Sequence, residues 1–296
     1  MADIALSSAV RTNLLALQST SSFIDRTQGR LSTGMSVSSP VDDAVKYFQG
    51  KSLTDRANDL LERKSAVDQG VNALNTALKA ADAMEDLVSQ MKGVIDASRS
   101  ADKVQREAYT TQFKELATQI QNLIGDATYK GLNLLNSTAS SLSVRFSDNA
   151  SSKLDVDGVD FNVSAFYKNS QGTAVAPTTY ADVLTALGFT VKLSVYTNTQ
   201  ATVLANYNTK SDAAIAGLDE TIANLRAEAA KIAGNVAILQ VRSDFTKEYV
   251  GVMETGAGQL TLADLNEEGA NLLALQTRQQ MGIQALSFAG QSEQAV

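Results

Sequence analysis

The chain has 296 residues and a formal net charge of −7, and it contains neither histidine nor cysteine. Without these residues it lacks the groups for His-based acid–base catalysis, cysteine nucleophiles, disulfides and the usual zinc, copper or iron–sulfur sites. We therefore expect no cofactor and no enzymatic activity, although carboxylate chemistry and oxygen-ligand calcium sites remain chemically allowed. The acidic balance gives no electrostatic basis for binding nucleic acid or anionic lipid.

Signals for membrane insertion and cleaved secretion are also missing from the sequence. No apolar run approaches the roughly 18 residues of a membrane span. The first six residues carry no basic segment, and Arg11 interrupts the first apolar stretch, so no cleaved signal peptide is expected. Export by a route that needs no cleaved signal is equally compatible with the sequence.

The N-terminal segment carries an apolar stripe with few charges. Only Asp3 and Arg11 are charged in the first 22 residues. The stripe alternates spacings of four and three residues, the period of helices that pair along their length, and consists of Val10, Leu14, Leu17, Ser21, Ile24, Gln28 and Leu31. Chain ends are normally polar and fray, so an end this apolar needs a partner.

The next segment, up to residue 135, continues the helical periodicity. One stripe repeats every seven residues, at Leu53, Leu60, Val67, Leu74, Ala81, Val88 and Ile95, and a second runs through Tyr109, Phe113, Leu116, Ile120 and Leu123. Each stripe alone indicates an ordinary helical-bundle core. Pro40 is the one proline in the helical regions, so long helices are expected. Asp42 and Asp43 follow it and are interpreted as helix-start residues rather than as a catalytic pair.

The composition changes between residues 136 and 210, which are rich in Ser, Thr, Asn and Val. The segments 142–146 and 191–196 alternate with period two, as half-buried strands do. An Asp157-Gly158 turn within 153–161 predicts a hairpin. The acidic residues around it lack the remaining ligands of a calcium loop and are interpreted as a solvated turn. The sequence therefore predicts a small β-rich insert between two helical regions.

The C-terminal region returns to helical periodicity. A stripe at 3-4 spacing comprises Ile215, Leu218, Ile222, Leu225, Ala229, Ile232, Val236 and Leu239, and a patchier one comprises Leu265, Leu272, Leu275, Ile283 and Leu286. The hexapeptide at 13–18 recurs at 271–276. Two apolar termini that pack on each other still leave the outer faces of a thin helix pair uncovered. This pattern predicts self-association through both ends of the chain.

Several short motifs resemble the bacterial flagellins when taken together. Arg30-Leu31-Ser32-Thr33-Gly34 followed by Asp42-Asp43-Ala44 is similar to the family's N-terminal signature. The segments 53–56, 70–74 and 113–135 resemble its conserved rod helices and the segment that ends them. Glu268–Gln276 and Gln284–Ser287 resemble its terminal helix. The likeness covers residues 1–135 and 211–296. The segment Gln90–Val94 departs from the family's receptor-recognised pattern, so host innate-receptor recognition is expected to be weak.

The resemblance implies a mainly α fold: a long coiled-coil-like helical rod from the N- and C-terminal regions, with a β-hairpin and a small α+β or β-rich central insert. The implied domains are terminal helices at 1–40 and 256–296, a helical rod at 41–140 and 208–255, and an exposed variable domain at 141–207. Because this insert joins two helical regions, we expect it to be dispensable for assembly.

The resemblance also implies a function and partners. The chain would polymerise with itself into the extracellular flagellar filament for swimming motility, without nucleic-acid binding or membrane insertion. It would pass unfolded through the flagellar type III export machinery after protection by an export chaperone, and would meet hook-associated and cap proteins. The polymerisation interface is predicted at Val10, Leu14, Leu17, Ile24, Leu31, Leu265, Leu272, Leu275, Ile283 and Leu286. The terminal segments are expected to be largely disordered before assembly.

Other functions are compatible with parts of the sequence. A hook–filament junction protein would share both termini but carry a different middle. Another secreted coiled-coil protein would share the stripes but not the signature motifs. An enzyme hosted in the insert is least favoured, because the insert has no paired carboxylates beyond its turns.

Overall fold

The computed structural model describes residues 8–174, 177, 183–187 and 201–294. Within these ranges the α-helices are α1 (Ser8–Thr33), α2 (Ala44–Ala97), α3 (Lys103–Asp126), α4 (Val163–Phe166), α5 (Val183–Ala186), α6 (Ala201–Thr261) and α7 (Leu265–Gln294). A short 3₁₀ turn, Ser98–Ser100, joins α2 to α3. The long helices and the small β elements in the middle of the chain confirm the predicted mainly α fold.

Two antiparallel strand pairs lie between α3 and α4. Strands β1 (Thr128–Tyr129) and β2 (Leu132–Asn133) form a tight hairpin. Its two turn residues, Lys130 and Gly131, have φ of 50° and 83°. Positive φ at both central positions is what a two-residue hairpin turn requires. Strands β3 (Ser141–Arg145) and β4 (Lys153–Asp157) form the second pair.

The predicted Asp157-Gly158 turn is wrong, although the strands on either side of the true turn were expected. Ser141 lies opposite Asp157, so the hairpin turns within residues 146–152. Gly158 instead follows the end of β4, where a Cβ atom would lie 2.4 Å from the carbonyl oxygen of Ser137. Glycine is needed there because the backbone approaches another backbone closely. The predicted strand at 191–196 falls outside the described residues.

The chain packs as two compact units. The terminal unit comprises Met1–Asp59 and Glu248–Val296, and the central unit comprises Leu60–Lys247. The long helices α2 and α6 therefore contribute residues to both units.

The core of the central unit is built from the stripes of three helices. Leu74 and Val88 of α2, Phe113 and Ile120 of α3 and Leu218 of α6 are fully buried. The stripe predicted on α6 and the part of the α2 stripe from Val67 to Ile95 are thus core positions, whereas Leu53 and Leu60 are only half-buried. On α3 the stripe is offset, because Ala117 and Ile124 are buried while Leu116 and Leu123 are only half-buried.

Aromatic residues from the predicted insert belong to this same core. Phe161, Phe166 and Tyr167 are buried to within 1% of full burial and stack edge to face, with ring centroids 5.5 and 5.0 Å apart. The Tyr167 hydroxyl lies 3.9 Å from the sulfur of Met91 on α2. Replacing 141–207 with a linker would uncover core side chains, so the expectation that this segment is dispensable does not fit the packing.

Candidate functional site

The terminal unit pairs the two helices that the sequence singles out for self-association. Arg30, near the end of α1, forms a 2.8 Å ion pair with Glu268, in the first turn of α7. Leu17, near the middle of α1, contacts Gly282 near the middle of α7. The two helices are therefore antiparallel partners within one chain. The expected disorder of the ends before assembly stays a prediction.

The side of α1 that faces α7 differs from the predicted stripe. Its buried residues, Val10, Thr20, Ile24 and Thr27, are 4% to 8% exposed. The predicted positions Ser21 and Gln28 are exposed instead. Threonine can occupy such a seam because its hydroxyl bonds its own helix: Thr20 Oγ1 donates to the Ala16 carbonyl at 2.8 Å. The methyl group is then free to pack against α7.

The facing side of α7 is formed by half-buried leucines and one glycine. Leu272, Leu275 and Leu286 are all half-buried. A Cβ atom at Gly282 would lie 2.9 Å from Cδ2 of Leu17. Glycine at this position therefore lets the Leu17 side chain reach the backbone of α7. The seam is less buried than the core of the central unit, where many side chains are fully buried.

The ten predicted interface residues divide into two groups. Those on or beside the seam are buried or half-buried: Val10, Leu17, Ile24, Leu31, Leu272, Leu275 and Leu286. The other three, Leu14, Leu265 and Ile283, are 43% to 57% exposed. The structure therefore brings most of the predicted residues together within one chain and leaves three of them facing outward.

Other exposed apolar residues on these helices were missed by the sequence reasoning. Leu15, Phe23, Leu273, Met281 and Phe288 are 44% to 72% exposed. Leu273, Met281 and Phe288 are spaced by eight and seven residues, so they share the outer face of α7. The available signal was that α7 is apolar on both sides, as a helix with partners on both sides is. We call Leu273, Met281 and Phe288 of α7 the outer apolar surface.

The connections from α1 and α6 into the next helices are tied to each other. Gly34 follows α1 with φ of 71°, a conformation that favours glycine. Its carbonyl accepts from the Ala263 amide at 2.9 Å, and the Ser36 amide donates to the Thr261 carbonyl at 2.8 Å. Arg30 and Gly34 of the signature motif therefore both fix the entry to the helix pair.

The two adjacent aspartates of the signature have different structural roles. The Asp43 carboxylate accepts from the Lys46 amide at 3.0 Å, which caps the start of α2 as expected. The Asp42 carboxylate accepts from the amide and hydroxyl of Ser39 and of Ser38, at 3.0 to 3.1 Å. These hydrogen bonds, the Ser39 amide foremost, lower the pKa of Asp42. Neither aspartate lies in an arrangement suited to catalysis.

Two further findings concern the described part of the chain alone. No three acidic side chains there are grouped closely enough to hold a metal ion. No helix there is both long and apolar enough to cross a bilayer.

Comparison with a family model gives a match over the N-terminal part of the chain. Residues 5–140 match the model of the bacterial flagellin N-terminal helical region. This range contains α1, α2, α3 and the signature motif that includes Arg30 and Gly34.

Comparison with other proteins extends the likeness to the whole chain. A flagellin from Brucella melitensis is 28% identical over 304 aligned positions, covering 100% of this chain and 98% of the relative. Flagellin FljO from Caulobacter vibrioides is 27% identical, covering 97% of each chain. A protein described as a flagellar hook-associated protein of Vibrio parahaemolyticus has a similar fold. Its TM-score is 0.59 at 14% identity, covering 75% of this chain and 100% of that one. The full-length matches and the family model agree, and the chain is similar to the bacterial flagellins along its whole length.

Proposed function

We propose that this chain is a structural subunit of the flagellar filament, an extracellular appendage, and that the outer apolar surface holds neighbouring subunits together. The observation that carries the proposal is the exposure of Leu273, Met281 and Phe288 on α7, a helix whose opposite side packs against α1. Several large apolar side chains on one thin helix pair are typical of an interaction surface.

Burial of the outer apolar surface would stabilise contacts between subunits. Burying one large apolar side chain contributes about 1.5–3 kcal/mol, and each subunit of a polymer repeats the contact. Isolated helices gain stability mainly by packing an apolar face. We therefore expect the order of α1 and α7 to increase when neighbouring copies cover their outer sides.

The proposals on enzymatic activity, export and neighbouring proteins rest on the similarity to flagellins. Flagellins form a structural family, and we propose that this chain has no enzymatic activity. We also propose that an export chaperone covers the apolar termini before passage through the type III export machinery. Hook-associated and cap proteins are the proposed neighbours at the filament ends. The hook–filament junction role is not favoured, because the full-length relatives are named flagellins.

The test compares one charge introduced on the outer apolar surface with the same charge elsewhere. We expect Leu273→Asp to abolish filament formation seen by electron microscopy, because a carboxylate cannot be buried unpaired in an apolar contact. Its matched control is Val104→Asp, on the central unit, where Val104 is 77% exposed. Both monomers should keep wild-type helix content by circular dichroism. Normal filaments from Leu273→Asp would contradict the proposed interface.

A further inference from the structure

We propose that the groove between α1 and α7 lined by Arg26, Arg30 and Arg278 binds acidic side chains of a second copy of this chain. This inference rests on the proposed function as a filament subunit. It adds a charged, salt-dependent contact to the apolar contacts proposed between subunits.

The groove lies within the terminal unit and has a volume of about 320 Å³. Phe23, Arg26, Thr27 and Arg30 line it from α1, at the spacing of one helix face. From α7 the lining residues are Glu268, Asn271, Ala274, Leu275 and Arg278. The groove therefore combines an apolar wall with three guanidinium groups.

The charges in the groove do not balance. Glu268 is its one carboxylate; it is 8% exposed and already pairs with Arg30 at 2.8 Å. Within the described part of the chain, neither Arg26 nor Arg278 forms an ion pair within 4.0 Å. The groove thus presents two uncompensated positive charges in a chain with 25 basic and 32 acidic residues.

The lining chemistry favours a carboxylate as the occupant. The Arg26 guanidinium carbon lies 5.7 Å from the centroid of the Phe23 ring, and Phe23 is itself 44% exposed. Guanidinium groups bind carboxylates in a planar, two-pronged geometry, and a neighbouring aromatic wall strengthens the attraction by lowering the local dielectric. One incoming segment that carries a carboxylate would therefore both cover Phe23 and pair with Arg26.

A second copy of the chain carries suitable acidic groups. Glu248, Glu254 and Glu267 are exposed and lie in the terminal unit. None of the three forms an ion pair among the described residues. Polymerisation brings copies together at high local concentration, so charge complementarity between a basic groove and an acidic chain selects another copy as partner.

The experiment measures the critical concentration for filament growth by sedimentation, at sodium chloride concentrations from about 0.05 to 0.5 M, where the Debye length shortens several-fold. The test variant is Arg26→Gln/Arg278→Gln, which leaves the Arg30–Glu268 pair intact. We expect its critical concentration at low salt to rise about three- to ten-fold. Its salt dependence should be weaker than that of the wild type. Arg11→Gln, on α1 but outside the groove, should behave as the wild type.

The controls separate charge from packing. Arg26→Lys/Arg278→Lys keeps the charges and should retain the wild-type salt dependence. A double glutamine variant that grows filaments at the wild-type critical concentration, with the same salt dependence, would overturn the proposal. So would growth promoted by inorganic phosphate at constant ionic strength, because the groove would then serve a small anion. Wild-type protein that forms no filaments would instead overturn the proposed function itself.

Discussion

The terminal helix pair and the core of the central unit carry similar apolar stripes but treat them differently. In the central unit, Leu74, Phe113 and Leu218 are fully buried because three helices and the aromatic residues near α4 close around them. In the terminal unit, Leu17 and Leu275 of α1 and α7 remain half-buried. A repeat of period 3.5 thus indicates that a helix has a partner, whereas the degree of burial indicates how completely the partners within the chain cover it.

This difference predicts separate consequences for stability and assembly. Substitutions in the central core should lower the free energy of unfolding of the monomer. Substitutions on the terminal pair should mainly change polymerisation. The following predictions are ordered by expected effect.

The largest loss of monomer stability is expected for Phe166→Ala. Its ring is fully buried between Phe161 and Tyr167, and the vacated space cannot collapse easily. Phe→Ala changes in cores cost about 3–5 kcal/mol. Urea unfolding followed by circular dichroism measures the loss, and the exposed Val104→Ala should change stability by less than about 0.5 kcal/mol. A small loss of stability in Phe166→Ala would mean that the segment around Phe166 is not part of the core of the central unit.

The next effect compares equivalent leucines of the two regions. Leu74→Ala should lower the free energy of unfolding by about 2–5 kcal/mol. Leu17→Ala removes a half-buried side chain and should cost the monomer clearly less, while raising the critical concentration for filament growth. If urea unfolding showed equal losses in the free energy of unfolding for the two variants, the terminal helix pair would be as firmly packed as the core, which would contradict this prediction.

A smaller effect is expected at the glycine that admits Leu17. Gly282→Ala places a methyl group 2.9 Å from Leu17 Cδ2 and should weaken the helix pair. At Gly269, in the same helix, a Cβ atom would meet nothing within 4 Å. Gly269→Ala should therefore be neutral or stabilise by up to about 1 kcal/mol, as alanine does in helices. Thermal unfolding and filament growth are measured for both variants. Equal behaviour of Gly282→Ala and Gly269→Ala would show that Gly282 is not a close contact between α1 and α7.

The smallest effect concerns acid pH and the turn before α2. The folded pKa of Asp42 is lowered below 3.8 chiefly by the Ser39 amide, so its contribution to stability is fully present above pH 3.8. That contribution is lost as pH falls through the lowered pKa. Asp42→Asn should reduce the melting temperature slightly at neutral pH, and the difference should shrink in strong acid. Asp59→Asn, an exposed carboxylate on α2, provides the control; a constant difference down to strong acid would contradict this role.

The long helices and most of the core could be predicted from the sequence. The heptad from Val67 to Ile95 and the stripe from Leu218 to Leu239 specify their own buried faces, because large apolar residues repeat there at helical spacing. Periodicity identifies a face when its apolar spacing is regular. This is the case for α2 and α6 in the central unit.

The terminal pair could be predicted only in part. The buried face of α1 includes polar side chains, so Thr20 and Thr27 could not be distinguished from Ser21 and Gln28 by hydropathy. Thr20 is tolerated in the seam because its hydroxyl donates to the Ala16 carbonyl of its own helix, a hydrogen bond that hydropathy does not reveal. The outer residues Leu273, Met281 and Phe288 could not be predicted from one stripe, because α7 carries apolar residues on two faces.

The packing of the middle segment could not be predicted at all. Phe161, Phe166 and Tyr167 lie in a stretch with no period, and Tyr167 contacts Met91 on α2, which is 76 residues earlier in the chain. Contacts of this kind depend on how the chain returns onto the helices. A Ser/Thr-rich composition therefore suggested an exposed insert although its aromatic residues complete the core.

Assembly through the outer apolar surface is tested most directly by measuring how accessible this surface is in the monomer and in the filament. The chain contains no cysteine, so Leu273→Cys introduces a single thiol whose labelling rate by a maleimide can be measured in both states. Ala150→Cys, in the exposed turn between β3 and β4, serves as the control. We predict rapid labelling of both variants as monomers, and protection of Leu273→Cys alone in filaments. Equal labelling of Leu273→Cys in the monomer and in the filament would contradict assembly through this surface.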